Sequence, residues 1–301
     1  VTVVNVNRPR LAVFPKCFLD DLCVKRTMTV HEWIDLAATL PVEGLEFYTG
    51  FLPEDRGELE RIREALHRRK LAMPMLCCSP DFTSPDEGER RFWVEQEKKW
   101  IDTVAFFNGE ICRVLSGQRR PDVGRRQGVA WVVQCINACL EHAERRGVVL
   151  AIENHYKDNY WSYPEFAQKL DVFLEIVDQI PSPWFGVNYD PSNAILSGDG
   201  SIAVLNAVKE RVVSMHASDR YLKSGSLEAL RQADGTLGYS PDLVHGVIGK
   251  GLNDYDTIFK TLNSVGFKGW ISIEDGLNGM DELRESADFL LKKVNQHFAK
   301  T

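Results

Sequence analysis

The chain has 301 residues, of which 44% are hydrophobic and 26% charged, the proportions of an ordinary globular protein with enough apolar material for a large core. Its formal net charge is -7 at pH 7, which argues against a general electrostatic grip on nucleic acid or on an anionic membrane surface. No apolar run is long enough to suggest a transmembrane helix.

Short apolar runs alternate with amphipathic segments along the whole chain. LAVFPKCF (11–18) reads as a first strand. TVHEWIDLAATL (29–40) reads as a helix, because Trp33, Leu36, Ala37 and Leu40 share one face and Thr29 with Glu32 fits a capping box. VEGLEFY (42–48) is the second strand, and 53–70 is a helix with acids early and bases late, matching the macrodipole. LAMPMLCC (71–78) and EICRVLSG (110–117) are strands three and four, separated by a helix over 90–107. A long helix over 127–147 ends at Gly147 and leads into the fifth strand, VVLAIENH (148–155). Helix 164–180, strand 184–193, helix 201–211 and strand 212–219 follow. An extended polar loop covers about 220–250, and helix 254–266, strand 269–275 and helix 280–298 complete the pattern. Eight βα units with no linker or low-complexity segment between them point to one α/β domain over 1–301, a closed (β/α)8 TIM barrel, with a doubly wound sheet as the other solution.

The amino-terminal VTVVNVNRPR carries no h-region or cleavage site, so no secretory signal is expected. The seven cysteines are odd in number and show no metal-type CxxC spacing. They read as small buried hydrophobes in a reducing compartment, and a cytoplasmic location is expected.

In a (β/α)8 barrel the carboxyl ends of all strands surround one mouth, so residues distant in sequence become neighbours there. The predicted tips carry Glu46, Cys78, Arg113, Glu153 with His155, Asp190, His216 and Glu274. Four of these, Glu153, Asp190, His216 and Glu274, directly follow hydrophobic residues on four consecutive strands. Carboxylates crowded at one buried point repel one another, and a divalent cation removes the repulsion. Three carboxylates and one imidazole suit Mn²⁺ first, with Mg²⁺, Co²⁺ or Zn²⁺ as alternatives. His155 lies two residues beyond Glu153 and so points to the same side of the strand. Taken singly, any of the acids is equally suited to a helix cap or an ion pair with arginine.

IENH (152–155), DPSN (190–193), MHASD (215–219) and the GKG of HGVIGKG (245–251) together resemble the xylose isomerase-like TIM-barrel superfamily of sugar isomerases and epimerases. The resemblance spans essentially the whole chain. It implies Glu153, Asp190, His216 and Glu274 as metal ligands, with Glu153 and Glu274 also serving as acid and base. It implies a keto-sugar isomerase or epimerase that abstracts a proton next to a carbonyl through a metal-stabilised enediolate. The chain departs from the epimerase pattern at Asn193, where many members have histidine, and at Asp158 and Asn159, where many have a further glutamate. These departures point away from a standard free-ketose 3-epimerase. His155 is similar to a feature of relatives that act on keto-sugars or C-glycosides by elimination, so a lyase on the same scaffold, a dehydratase or deglycosidase, is the alternative.

Arg220, Lys250, Trp161, Asn193 and Glu46 are the substrate-binding candidates, with Lys16, Tyr160 and Phe82 as further residues near the tips. The expected partner is a small sugar, with no nucleic acid and no membrane, and a homo-oligomer remains open. An abasic-site endonuclease would need a histidine-rich three-metal cluster, and the chain has only seven histidines. A non-catalytic sugar-binding barrel is the remaining reading.

Overall fold

A computed structural model describes residues 8–158, 161–229 and 242–298. Its strands are β1 (Arg10–Val13), β2 (Gly44–Leu45), β3 (Phe47–Tyr48), β4 (Met75–Cys77), β5 (Ile111–Val114), β6 (Val149–Glu153), β7 (Phe185–Tyr189), β8 (Val212–Ala217), β9 (Arg220–Leu222), β10 (Leu243–His245) and β11 (Trp270–Ile273). The helices are α1 (Leu19–Cys23), α2 (Val30–Ala37), α3 (Arg56–Arg69), α4 (Glu87–Phe106), α5 (Arg125–Arg146), α6 (Leu170–Val177), α7 (Pro191–Ser197), α8 (Ser201–Val208), α9 (Tyr255–Ser264) and α10 (Met280–Phe298).

Nine strand segments form one parallel sheet in the order β2-β1-β11-β8-β7-β6-β5-β4-β3. Its two ends, β2 and β3, are halves of one strand separated only by Glu46, so the sheet curls round on itself into the expected TIM barrel. The seam is held from both sides: Glu46 N–H donates to the Val13 carbonyl at 3.0 Å and Leu45 N–H to the Ala72 carbonyl at 2.8 Å.

Strand pleating separates two environments. Leu150 and Ile152 of β6 join the large cluster beneath the helices, whereas Ala151 joins Met75, Cys77 and Ile111 in a small cluster of its own. Alternate side chains along a strand face opposite ways, so Glu153 shares the barrel-interior face with Ala151. The same parity places Arg113 with Ile111, and turns Cys112 and Val114 outward under the helices.

Several elements match the sequence pattern closely. The Thr29–Glu32 capping box forms, and α5 stops at Gly147 in the left-handed conformation, φ 67°. Gly128 near the start of α5 permits close packing, since a Cβ there would lie 2.3 Å from the Phe166 ring. Other elements correct it. The first strand ends at Val13, and Lys16–Phe18 form a short 3-10 turn leading into α1. The sixth strand stops at Tyr189: Pro191 opens α7, and Asp190 Oδ1 caps that helix by accepting from Asn193 N–H at 2.8 Å. The helix expected over 164–180 is reduced to α6, because Glu165 and Phe166 spend their amides on the Tyr156 and Gly117 carbonyls instead of a helix. Within the long loop, β9 and β10 pair antiparallel, while 230–241 lie outside the described residues. Among the described residues no helix is long and apolar enough to cross a membrane.

The GKG turn has a structural explanation. Asp219, fully buried, receives the backbone N–H groups of Gly249, Gly251 and Asn253 at 2.8, 2.9 and 3.1 Å. Gly251 is tight against this carboxylate, where a Cβ would meet Asp219 Oδ1 at 2.3 Å. Asp219→Asn is expected to lower stability by about 1–3 kcal/mol, because charge-assisted bonds from three converging amides are weakened. Chemical denaturation measures this, and an unchanged midpoint would show that the loop does not depend on the charge.

Candidate metal centre and active site

The strand tips deliver Glu153, Asp190, His216 and Glu274 to one point. One donor atom from each lies within 4.8 Å of the others. Glu153, Asp190 and His216 are buried, and the Glu274 side chain is 13% exposed, which makes it the member nearest solvent. His216 Nδ1 faces Glu153 Oε1 at 3.2 Å and Glu274 Oε2 at 3.3 Å. Its Nε2 lies 2.8 Å from Glu46 Oε1, which also receives the Cys77 thiol at 2.8 Å. Glu46 is fully buried, so the structure places it against His216 and Cys77 within the barrel.

The neighbours stabilise this group without neutralising it. Arg113 Nε lies 3.2 Å from Glu153 Oε2, and Lys16 Nζ lies 3.2 Å from Glu274 Oε1. Asn193 Nδ2 donates to Glu153 Oε1 at 3.1 Å, and Ser218 Oγ donates to Asp190 Oδ1 at 2.7 Å. Asn154 clamps the two strand ends together, exchanging hydrogen bonds with the backbone N–H and carbonyl of Asp190.

The charge states diverge accordingly. Burial and then the negative charges of Glu274 and Glu153 push Asp190 up to about 7. Burial also opposes ionisation of Glu153, but the positive charges of His216 and Arg113 outweigh it and bring that group down to about 2. Glu274 is held well below the usual range, Lys16 and His216 overcoming its burial. Burial disfavours a charged His216, yet Glu46, Glu153 and Glu274 raise its pKa well above the ordinary imidazole value.

A divalent cation fits these residues. With its proton on Nε2, donated to Glu46, His216 turns the Nδ1 lone pair towards two carboxylates, and that arrangement needs a positive charge between them. A second proton on the ring supplies it in one way, and a metal ion in another. The pairing of Nε2 with a carboxylate is the outer contact that orients metal-binding histidines generally.

His155 lies beside the cluster. Its Nδ1 is 3.5 Å from Glu165 Oε2, and the other Glu165 oxygen accepts from Ser116 N–H at 2.6 Å and Ser116 Oγ at 2.5 Å. Burial disfavours the imidazolium, but Glu153 and Glu165 together raise the His155 pKa above its ordinary value. Glu165 is invisible to a reading of strand tips, because it lies in a segment whose pattern suggests a helix.

The other candidates separate. Arg220 is buried; burial and then its positive charge lower His245 to about 2, whereas at Asp275 burial outweighs the Arg220 charge and raises the carboxyl to about 7. Lys250 turns outward, 61% exposed, and pairs with Glu285. Trp161 and Phe82 are buried, and Tyr160 lies outside the described residues. Cys78, another predicted tip residue, lies under the helices against Cys112.

Residues 34–293 match the family model of the xylose isomerase-like TIM barrel. The chain belongs to that family. Among solved structures, a D-tagatose 3-epimerase-like protein is 17% identical with a TM-score of 0.75, over 96% of this chain and 100% of that one. The IolI protein with a binding zinc atom is 16% identical with a TM-score of 0.74, over 97% and 100%. The probable 3-DHS dehydratase AsbF from Bacillus anthracis is 16% identical with a TM-score of 0.72, over 94% and 98%. These likenesses establish the fold. No curated protein matches the chain in sequence.

The Asp190 shift carries a sign that can be tested. Its folded pKa lies above the ordinary aspartate value of 3.8, so the folded chain retains a proton that the unfolded chain releases. Stability from this group therefore falls as pH rises from about 4 through about 7. Without added cation, Asp190→Asn is expected to gain stability relative to the unsubstituted chain as pH goes from about 5 to about 8. Thermal melts measure the gap, and a gap independent of pH contradicts the assignment.

Proposed function

We propose that the chain is a divalent-metal-dependent isomerase or epimerase of a small keto-sugar, working by proton abstraction next to the carbonyl. The convergence of the Glu153, Asp190, His216 and Glu274 donors within 4.8 Å is the observation that supports this reading best. These four residues would hold the cation, and their oxygen-rich donor set favours Mn²⁺, with Mg²⁺, Co²⁺ and Zn²⁺ as alternatives. A bound divalent ion supplies Lewis-acid polarisation of a substrate carbonyl.

The chain's own groups do the rest. Glu153, beside His216 and Arg113, and Glu274, beside Lys16 and His216, are ionised; as carboxylates of lowered pKa they are weak bases that hand a captured proton back readily. Asn193 and Glu46 hold Glu153 and His216 in orientation. His155, whose Nδ1 lies 3.5 Å from Glu165 Oε2, is a further acid–base group beside Glu153.

His155 also favours a second reading, a lyase that eliminates water or an aglycone from a keto-sugar. Proton removal is common to both reactions, and a second positioned acid is what a leaving group needs. A dehydratase among the fold neighbours accords with this alternative.

Incubation of the Mn²⁺-loaded protein with ketoses, 3-keto-sugars and inososes in D₂O, followed by proton NMR, tests both. Deuterium at the carbon beside the carbonyl with reversible interconversion supports the isomerase, and release of water or aglycone supports the lyase. Failure of the protein to retain a divalent ion, or absence of exchange and product across the panel when it is loaded, sinks both. Glu274→Gln is expected to reduce turnover by about 10²–10⁴-fold, as for loss of a positioned acid–base group. Glu46→Gln is expected to weaken metal affinity by about 10–100-fold through His216 alone, measured by calorimetric titration. An unchanged affinity would remove Glu46 from that role.

A further inference from the structure

A second donor cluster lies outside the mouth. Cys78, the residue after β4, and Cys112, on β5, place their sulfurs 3.6 Å apart under the helices. Glu97, on the inner face of α4, accepts from the Cys112 thiol through Oε1 at 3.1 Å. All three residues are 0% exposed. Glu97 Oε2 is buried with no hydrogen-bond partner, an unusual position for an acid in an apolar layer.

The spacing suits a thiophilic metal. Zn–S bonds of about 2.3 Å and Zn–O bonds of about 2.0 Å put tetrahedral edges at about 3.8 Å between sulfurs and about 3.5 Å from sulfur to oxygen. The observed 3.6 and 3.1 Å are within about half an ångström of two such edges, and all three donors lie within 4.8 Å of one another. One positive charge, shared with Glu153, is also at hand. Two thiolates and a carboxylate around a divalent ion leave one negative charge, and the Arg113 guanidinium stands beside them, donating to the Cys78 carbonyl at 3.0 Å. Its positive charge is felt by both Cys78 and Glu97.

We propose that Cys78, Cys112 and Glu97 form a second, structural cation site between the barrel wall and α4, selective for a thiophilic divalent ion of the Zn²⁺ or Cd²⁺ type. Without the ion, burial keeps the thiols and the carboxyl protonated, Cys78 up at about 11 and Glu97 at about 8. Binding forms two metal–sulfur bonds and one metal–oxygen bond, and releases the two thiol protons and the carboxyl proton to solvent. The ion pins α4 to β4 and β5. It is chemically distinct from the mouth, whose four donors contain no sulfur.

Full-length protein purified from cells grown with Cd²⁺ tests the site, by metal analysis and by the ultraviolet thiolate-to-metal charge-transfer band. The four mouth donors give no such band, so a band reports a thiolate ligand, and the substitutions below assign which one. Cys77, the thiol beside His216, is removed as a source by Cys77→Ser. The band is expected in the unsubstituted chain, in Cys77→Ser and in His216→Ala. Cys112→Ser is expected to lose the band together with about one metal equivalent, and Glu97→Gln to weaken retention during chelator dialysis by about tenfold or more. If Cys112→Ser does not fold, the band in the unsubstituted chain and its weakening in Glu97→Gln decide the matter. No band in the unsubstituted chain, a band lost in Cys77→Ser, or one that survives in Cys112→Ser overturns the proposal.

Discussion

Like-charge repulsion at the barrel mouth is the constraint on which the rest of the structure depends. Three carboxylates, of Glu153, Asp190 and Glu274, meet around one imidazole in a nearly dry setting. Each is answered by a different device: Arg113 beside Glu153, Lys16 beside Glu274, and the hydroxyl of Ser218 with the Asn193 amide at Asp190. Among the described residues Asp190 has no full positive partner of its own, and burial together with the charges of Glu274 and Glu153 raises its affinity for a proton. The carboxylates press His216 towards its charged form, and Glu46 behind it fixes which ring nitrogen looks inward. Folding assembles this cluster against repulsion, so the surrounding barrel supplies the stabilisation.

Strand parity explains why the four groups were readable from the amino-acid sequence. A residue at the end of an apolar run inherits the direction of the residue two before it, and the small cluster inside and the large cluster outside obey that rule. The eight repeated units, the capping box at Thr29 and the stop at Gly147 are local signals of the same kind. Where the pattern misleads, a tertiary partner has replaced a local one. Asp190 ends a strand and caps a helix at once, so an apparently continuous strand turns at Pro191. Glu165 lies in a helix-like stretch that is pulled towards Tyr156 and Gly117 by its own backbone.

Lys250 and the GKG turn show the other way in which sequence alone falls short. A lysine between two glycines near the predicted mouth invites a role in binding. The structure assigns the motif's fixed contacts to its backbone, which satisfies Asp219, while the lysine side chain pairs with Glu285 at the surface. Glu46 shifts in the opposite direction, from a candidate rim residue to one sealed behind His216. In both cases residue type and position were legible, but not which atoms the fold would use.

Arg113 joins the mouth to the layer behind it. Its guanidinium reaches Glu153 through Nε and the Cys78 carbonyl through Nη1, so one buried positive charge stands between two groups of acids and thiols. Coulomb energies between buried charges persist over distances at which water would screen them. Against burial, the Arg113 charge lowers Glu153 on one side and Cys78 and Glu97 on the other, so both sides feel the same positive charge. The inward and outward faces of β5 thus have separate chemistry but share a counter-charge. That sharing is a physical reason for an arginine, which stays charged when buried, at a position where a lysine would surrender its proton.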